Sequence, residues 1–218
     1  MTPQDASRIT REMCLIAPVI PVLVIDDLAH ARPLAEALVA GGLPMLEVTL
    51  RTPCALDAIR IIAQVPGGIV GAGTLLTPAD VAAAKTAGAR FGVSPGATPR
   101  LLAACEAEGL PTLPGAATAS EVMHLMERGY TTAKFFPAGN IGGAPALKSL
   151  GAPIPQVSFC PTGGVSMGNA MDYLSLPNVL CVGGSWVAPR ALLEAGDWAG
   201  VVALAQAAYR LPRPARPA

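Results

Sequence analysis

Short β-branched and apolar runs alternate along the chain with longer stretches dominated by alanine and leucine. The short runs fall at 19–25, 45–50, 69–73, 90–94, 112–114, 132–136, 157–161 and 179–182. Their starts recur about every 20–26 residues, the size of one short βα unit. Threonine–proline pairs punctuate the pattern: Thr52-Pro53, Thr77-Pro78 and Thr98-Pro99 each set a capping hydroxyl before a proline at the first helical position. Thr118 and Glu121 have the spacing of a capping box, and Gly41, Gly88, Gly109 and Gly129 close helices just before the next strand. A further helix is predicted over 4–13, ahead of the first strand.

Eight βα units build either an open doubly wound sheet or a closed barrel. Polar residues stand at the carboxyl ends of many different runs, and only closure gathers all of those ends around one mouth. The expected fold is therefore α/β, a single (β/α)8 TIM barrel over 1–210 with an additional N-terminal helix. The 218 residues are 52% hydrophobic, ample for one large core. The last segment, 211–218, is rich in proline and arginine and reads as a disordered extension.

The charge balance narrows the class. Formal net charge is zero, with no basic stripe, so no nucleic-acid partner is expected. The early apolar run from Leu15 is broken by Pro18 and Pro21 and is too short for a bilayer, so no membrane partner is expected and the location reads as cytoplasmic. Cys14, Cys54, Cys105, Cys160 and Cys181 form no C-x-x-C pair, and their odd number argues for reduced thiols. His30 and His124 lie far apart and fit no zinc spacing with these cysteines, so no metal is expected.

Chemistry concentrates on two strands. In 45–51 the side chains alternate, so Leu46, Val48 and Leu50 share one face while Glu47, Thr49 and Arg51 share the other. The apolar set meets the helices, which turns a carboxylate and a guanidinium into the barrel, where buried charge is costly unless paired or used. An internal Glu47–Arg51 ion pair and a catalytic pair are both open at this stage. Lys134 lies mid-strand, whereas Lys85 and Lys148 lie in helical stretches and read as solvated. An inward lysine among apolar neighbours loses hydration of its ammonium, leaving a neutral amine available to attack a ketone. The bland alternative is a lysine snorkelling to the mouth or neutralised by Glu47 for stability alone.

Glycine pairs end the last two runs, at Gly163-Gly164 and Gly183-Gly184. Their amides can approach an anion closely, with a following helix start adding a favourable dipole. The Gly71-x-Gly73 pattern lacks the third glycine of a dinucleotide fingerprint, and close packing is the better reading. Thr74 offers a hydroxyl at the mouth, and Pro95 an apolar wall.

Six motifs then stand in order. They are Glu47-Val48-Thr49-Leu50-Arg51-Thr52, Gly71-Ala72-Gly73-Thr74, Ser94-Pro95-Gly96, Lys134-Phe135-Phe136-Pro137-Ala138, Cys160-Pro161-Thr162-Gly163-Gly164 and Gly183-Gly184-Ser185-Trp186. Together they resemble the 2-keto-3-deoxy-6-phosphogluconate (KDPG) aldolase family, over about residues 17–209. The resemblance implies a class I aldolase of the Entner–Doudoroff pathway, homotrimeric and without a cofactor. Its substrate would be 2-dehydro-3-deoxy-6-phosphogluconate, cleaved to pyruvate and glyceraldehyde 3-phosphate. It further implies Lys134 as the Schiff-base lysine and Glu47 as the general acid/base. Arg51 and Thr74 would hold the pyruvate carboxylate, Pro95 and Phe136 would pack beside the keto acid, and Thr162, Gly163, Gly164, Gly183, Gly184 and Ser185 would line the phosphate end. One departure is local: Gly139-Asn140 follows Ala138 where an acidic residue is expected.

The rival substrates are 4-hydroxy-2-oxoglutarate and the galactonate-derived epimer, which share the pyruvoyl half. A rival of another class is a phosphate-binding isomerase or synthase that forms no covalent adduct. A third is a sugar-phosphate sensor without turnover.

Overall fold

The computed structural model of the chain describes residues 1–212. Helix α1 (Pro3–Cys14) comes first. Thr2 caps it by accepting from the Asp5 amide, and Pro3 takes the first turn. The repeating units follow as β1 (Val19–Leu23), α2 (Ala31–Ala40), β2 (Met45–Thr49), α3 (Ala55–Ile62), β3 (Ile69–Gly73), α4 (Pro78–Thr86), β4 (Phe91–Val93) and α5 (Pro99–Ala107). The second half runs β5 (Thr112–Leu113), β6 (Gly115–Ala116), α6 (Ala119–Arg128), β7 (Thr132–Phe135), α7 (Gly143–Gly151), β8 (Ser158–Pro161), α8 (Ala170–Leu174), β9 (Val182–Gly184), α9 (Arg190–Glu194) and α10 (Trp198–Tyr209).

All strand pairs are parallel, in the orders β5-β4-β3-β2-β1-β9 and β6-β7-β8. Two seams join these sets into the predicted eight-position barrel. The fifth position is one strand interrupted at Pro114, which has no N–H to give but whose carbonyl still accepts the Lys134 amide at 2.8 Å. Gly115 follows because a Cβ there would strike the Pro95 backbone. The other seam is held by the parallel bridges Phe159↔Val179 and Thr162↔Gly183.

Two local expectations fail. The last strand is expected at 179–182, but its ladder with β1 starts at Val182 opposite Val19 and runs to Gly184, with Val179 bridging Phe159 outside it. Thr52 does not cap a helix either. Its hydroxyl donates to the Ile25 carbonyl at 2.7 Å, as the Cys54 thiol does at 3.0 Å, so α3 starts later, at Ala55. The orphan carbonyl of the turn after β1 outcompetes the helix amides. Thr77, Thr98 and Thr118 do cap, the first and last in full capping boxes with Asp80 and Glu121. Of the expected extension, Leu211 closes onto the Ala208 carbonyl at 3.2 Å, and 213–218 lie outside the described residues.

Strand alternation sorts the core into two layers. Leu46, Val48, Val70, Ala72, Ala133 and Phe135 face the helices. Ile20, Met45, Phe91, Val93, Leu113, Cys160 and Cys181 fill the barrel, and Cys14 of α1 joins them from below. Each large side chain so buried contributes roughly 1.5–3 kcal/mol. α1 is tied to the barrel floor by the Ser7 hydroxyl, which accepts the Thr131 amide, and by the Ser7 carbonyl, which accepts from Thr132 Oγ1. No disulfide joins any of the five cysteines. Among the described residues, no helix is long and apolar enough to cross a membrane.

Candidate active site

Above that apolar floor the barrel interior turns polar. Glu47 on β2 and Lys134 on β7 are 3% and 6% exposed, and Lys134 Nζ donates to Glu47 Oε1 at 3.3 Å. The internal pair is thus Glu47–Lys134, across the barrel; no ion pair joins Glu47 to Arg51 among the described residues. Lys134 Nζ also stands 5.1 Å from the centroid of the Phe136 ring. Burial pushes the Glu47 carboxyl above the usual carboxylate range, against the opposing pull of Lys134 and Arg51.

The space these groups face is a cavity of about 310 Å³, at the lower end of the range for small-molecule sites. It brings together all the expected site residues: Glu47, Arg51, Thr74, Pro95, Lys134, Phe136, Thr162, Gly163, Gly164, Gly183, Gly184 and Ser185. Val22, Thr49 and Val165 complete the lining. Val22 had no signal of its own in the sequence, since it reaches the site as the register partner of Glu47. A larger cleft of about 580 Å³ adjoins it, sharing Val22 and Ser185, but it holds neither the lysine nor Glu47. The chemistry belongs to the smaller cavity.

Its two ends differ. At one, Arg51 Nε donates to Thr49 Oγ1 at 3.1 Å. Beside it, Thr74 holds a left-handed backbone conformation at φ 63°, a strained state for a β-branched residue. Gly73 lies against Glu47 closely enough that a Cβ there would meet Glu47 Cγ at 2.7 Å. At the other end, Gly163 and Gly164 take φ of 93° and 75°, which glycine adopts without steric penalty. Asn169 Nδ2 holds the Gly164 carbonyl at 2.9 Å, and the Gly139 amide holds the Gly163 carbonyl at 2.8 Å. Among the described residues, the amides of Gly164 and Ser185 have no acceptor on the protein. The expected helix starts are not directly behind these glycines: α8 and α9 begin farther along, at Ala170 and Arg190. Open backbone amides, rather than a helix terminus, make this end fit for an anion. No group of three or more His, Cys, Asp or Glu side chains able to hold a metal ion occurs among the described residues.

A buried amine and carboxylate in contact, with a guanidinium at one end and free amides at the other, can hold a dianion and move protons along it. The comparisons point the same way. The family "KDPG and KHG aldolase" matches residues 10–204. The 2-dehydro-3-deoxy-phosphogluconate aldolase of Pseudoalteromonas atlantica is 53% identical over 192 residues, 88% of this chain and 89% of that one. The crystal structure of the Zymomonas mobilis 2-keto-3-deoxy-6-phosphogluconate aldolase with 3-phosphoglycerate superposes with a TM-score of 0.91 at 51% identity, covering 97% of this chain and all of the other (100%). The Legionella pneumophila KDPG aldolase, with pyruvate captured at low pH as a covalent carbinolamine intermediate, superposes with a TM-score of 0.88 at 45% identity, covering 96% and 98%. With the site's chemistry and nearly the whole length of the chain in agreement, this protein belongs to the KDPG and KHG aldolase family.

Proposed function

We propose that the chain is a class I aldolase cleaving 2-dehydro-3-deoxy-6-phosphogluconate to pyruvate and glyceraldehyde 3-phosphate through a Schiff base on Lys134. The observation that carries this reading is the buried Lys134–Glu47 contact of 3.3 Å in a cavity with an anion-binding group at each end.

The neutral Lys134 amine attacks the C2 ketone, and loss of water leaves a protonated imine as electron sink. Glu47, ionised, takes the C4 hydroxyl proton as the C3–C4 bond breaks. The bond's electron pair enters the iminium to give an enamine, and the aldehyde leaves. Protonation of the enamine at C3 and hydrolysis of the imine release pyruvate. Arg51 and Thr74 hold the carboxylate, Pro95 and Phe136 flank the keto acid, and Thr162, Gly163, Gly164, Gly183, Gly184 and Ser185 receive the phosphate. The covalent pyruvate adduct of the Legionella relative supports the imine route. The 3-phosphoglycerate of the Zymomonas relative, a phosphorylated carboxylate, supports the two-ended site. The same reading extends to a cytoplasmic homotrimer, which sedimentation of the purified protein would test.

The test is borohydride reduction in the presence of pyruvate, with the adduct located by peptide mass spectrometry. Label on Lys134, lost with all turnover in Lys134→Met, is expected. No adduct on folded protein, or appreciable turnover in Lys134→Met, would refute the Schiff base. Because the family also covers 4-hydroxy-2-oxoglutarate cleavage, side-by-side kcat/KM values rank the two substrates.

A further inference from the structure

Thr49 sits between Glu47 and Arg51 on the cavity face of β2, is 2% exposed, and has no part in the bond-breaking scheme. Its hydroxyl has a single proton, and that proton is committed. Thr49 Oγ1 donates to the Leu23 carbonyl of the neighbouring strand at 2.9 Å. Toward Arg51 the oxygen therefore presents only lone pairs, and Arg51 Nε donates to it at 3.1 Å. Arg51 itself is solvent-exposed. Without a tether, its long side chain would sample many rotamers at the barrel mouth or turn down toward the Glu47 carboxylate four residues earlier on the same face.

From this geometry we infer that Thr49 is a positioning residue, which anchors Arg51 by Nε so that its two terminal nitrogens form a fixed fork for the carboxylate of the keto acid. The polarity of the chain of bonds sets the device. A backbone carbonyl orients the threonine proton, the threonine lone pairs select Nε over the terminal nitrogens, and the fork is left free for two parallel bonds. Among the described residues, no carboxylate pairs with Arg51, so the fork is not spent within the protein. The gain is preorganisation: ordering the arginine before the ligand arrives removes that ordering from the binding step. The threonine also keeps the guanidinium off Glu47, whose carboxylate the proposed chemistry needs free for its proton.

The inference rests on Arg51 being the carboxylate-binding group. Initial rates in the condensation direction give KM for pyruvate and KM for glyceraldehyde 3-phosphate separately, for Thr49→Val, Thr49→Ser and Arg51→Met. Thr49→Val is expected to raise KM for pyruvate about tenfold, the scale of one charge-assisted hydrogen bond. KM for the aldehyde should stay within about twofold, and Thr49→Ser should restore the pyruvate value. A Thr49→Val enzyme with an unchanged pyruvate KM, or with both KM values raised alike, overturns the positioning role while a raised value in Arg51→Met keeps the carboxylate assignment. If Arg51→Met leaves the pyruvate KM unchanged, that assignment fails and the role of Thr49 fails with it.

Discussion

Gly73→Ala probes how narrowly the carboxylate of Glu47, the proposed base, is placed. Gly73 pairs with Thr49 in the β2–β3 ladder, and its carbonyl accepts the Leu50 amide at 2.8 Å, so its backbone is pinned on that side. A Cβ there would stand 2.7 Å from Glu47 Cγ and 2.9 Å from Cδ, against the 3.4 Å where ordinary contact begins. The closest contact of all would be with Glu47 Oε1, the atom that accepts from Lys134 at 3.3 Å, so the glutamate must retreat by about 1 Å and disturb that contact. Displacements of about 1 Å in a catalytic group can lower rates about 100-fold, so kcat for cleavage is expected to fall by about 10- to 100-fold. Overpacking of this kind also destabilises by roughly 1–3 kcal/mol. Lys134 stays in place, so pyruvate trapping by borohydride should persist at saturation. The decisive comparison is a double-mutant cycle with Glu47→Gln: once the base is absent, adding the methyl should change kcat little further. A Gly73→Ala enzyme with full kcat, or one whose loss is undiminished in the Glu47→Gln background, would refute the reasoning.

Four further outcomes are expected. Burial raises the Glu47 carboxyl above the usual carboxylate range, so the acidic limb of kcat/KM should lie above that range and vanish in Glu47→Gln; a retained limb assigns it to another group. By linkage the same raised pKa gives a stabilisation that is full below the unfolded value and is lost as pH climbs through the folded one, so Glu47→Gln should flatten that part of the Tm–pH curve, and an unchanged slope counts against it. Thr74→Gly should relieve about 1–3 kcal/mol of backbone strain, offset by roughly 0.4–1 kcal/mol of unfolded-chain entropy; urea unfolding should show stability held or raised while KM for pyruvate rises, and a clear loss of stability rejects the strain. Ser185→Asp places a carboxylate at the proposed phosphate end and should raise KM for the phosphorylated substrate at least tenfold, an unchanged KM removing Ser185 from that site.

Legibility in the sequence followed the physics of each element. The period of the strands and the Thr-Pro caps made the barrel readable, because both depend on neighbours close in the chain. The alternation along 45–51 made the inward face of β2 readable, including Glu47, but not its partner. Whether Glu47 meets Arg51 or Lys134 depends on barrel diameter and register, which no local pattern encodes. Thr52 departs from its expected cap for the same reason: its hydroxyl satisfies the Ile25 carbonyl, twenty-odd residues earlier, rather than its own helix. The split at Pro114 needed knowledge of Pro95 crossing Gly115. Val22 became a site residue only once β1 was laid beside β2.

The floor laid by α1 and the apolar layer above it makes the barrel a vessel with one opening. Whatever reaches Lys134 must enter and leave at the carboxyl ends of the strands, because the apolar layer and α1 close the other end. On the proposed scheme the covalent imine keeps the keto acid on the lysine until water hydrolyses it, so the aldehyde departs first and pyruvate second, both through that one mouth. A helix at the far end of the molecule, which touches no reactant, thus decides by which door they go.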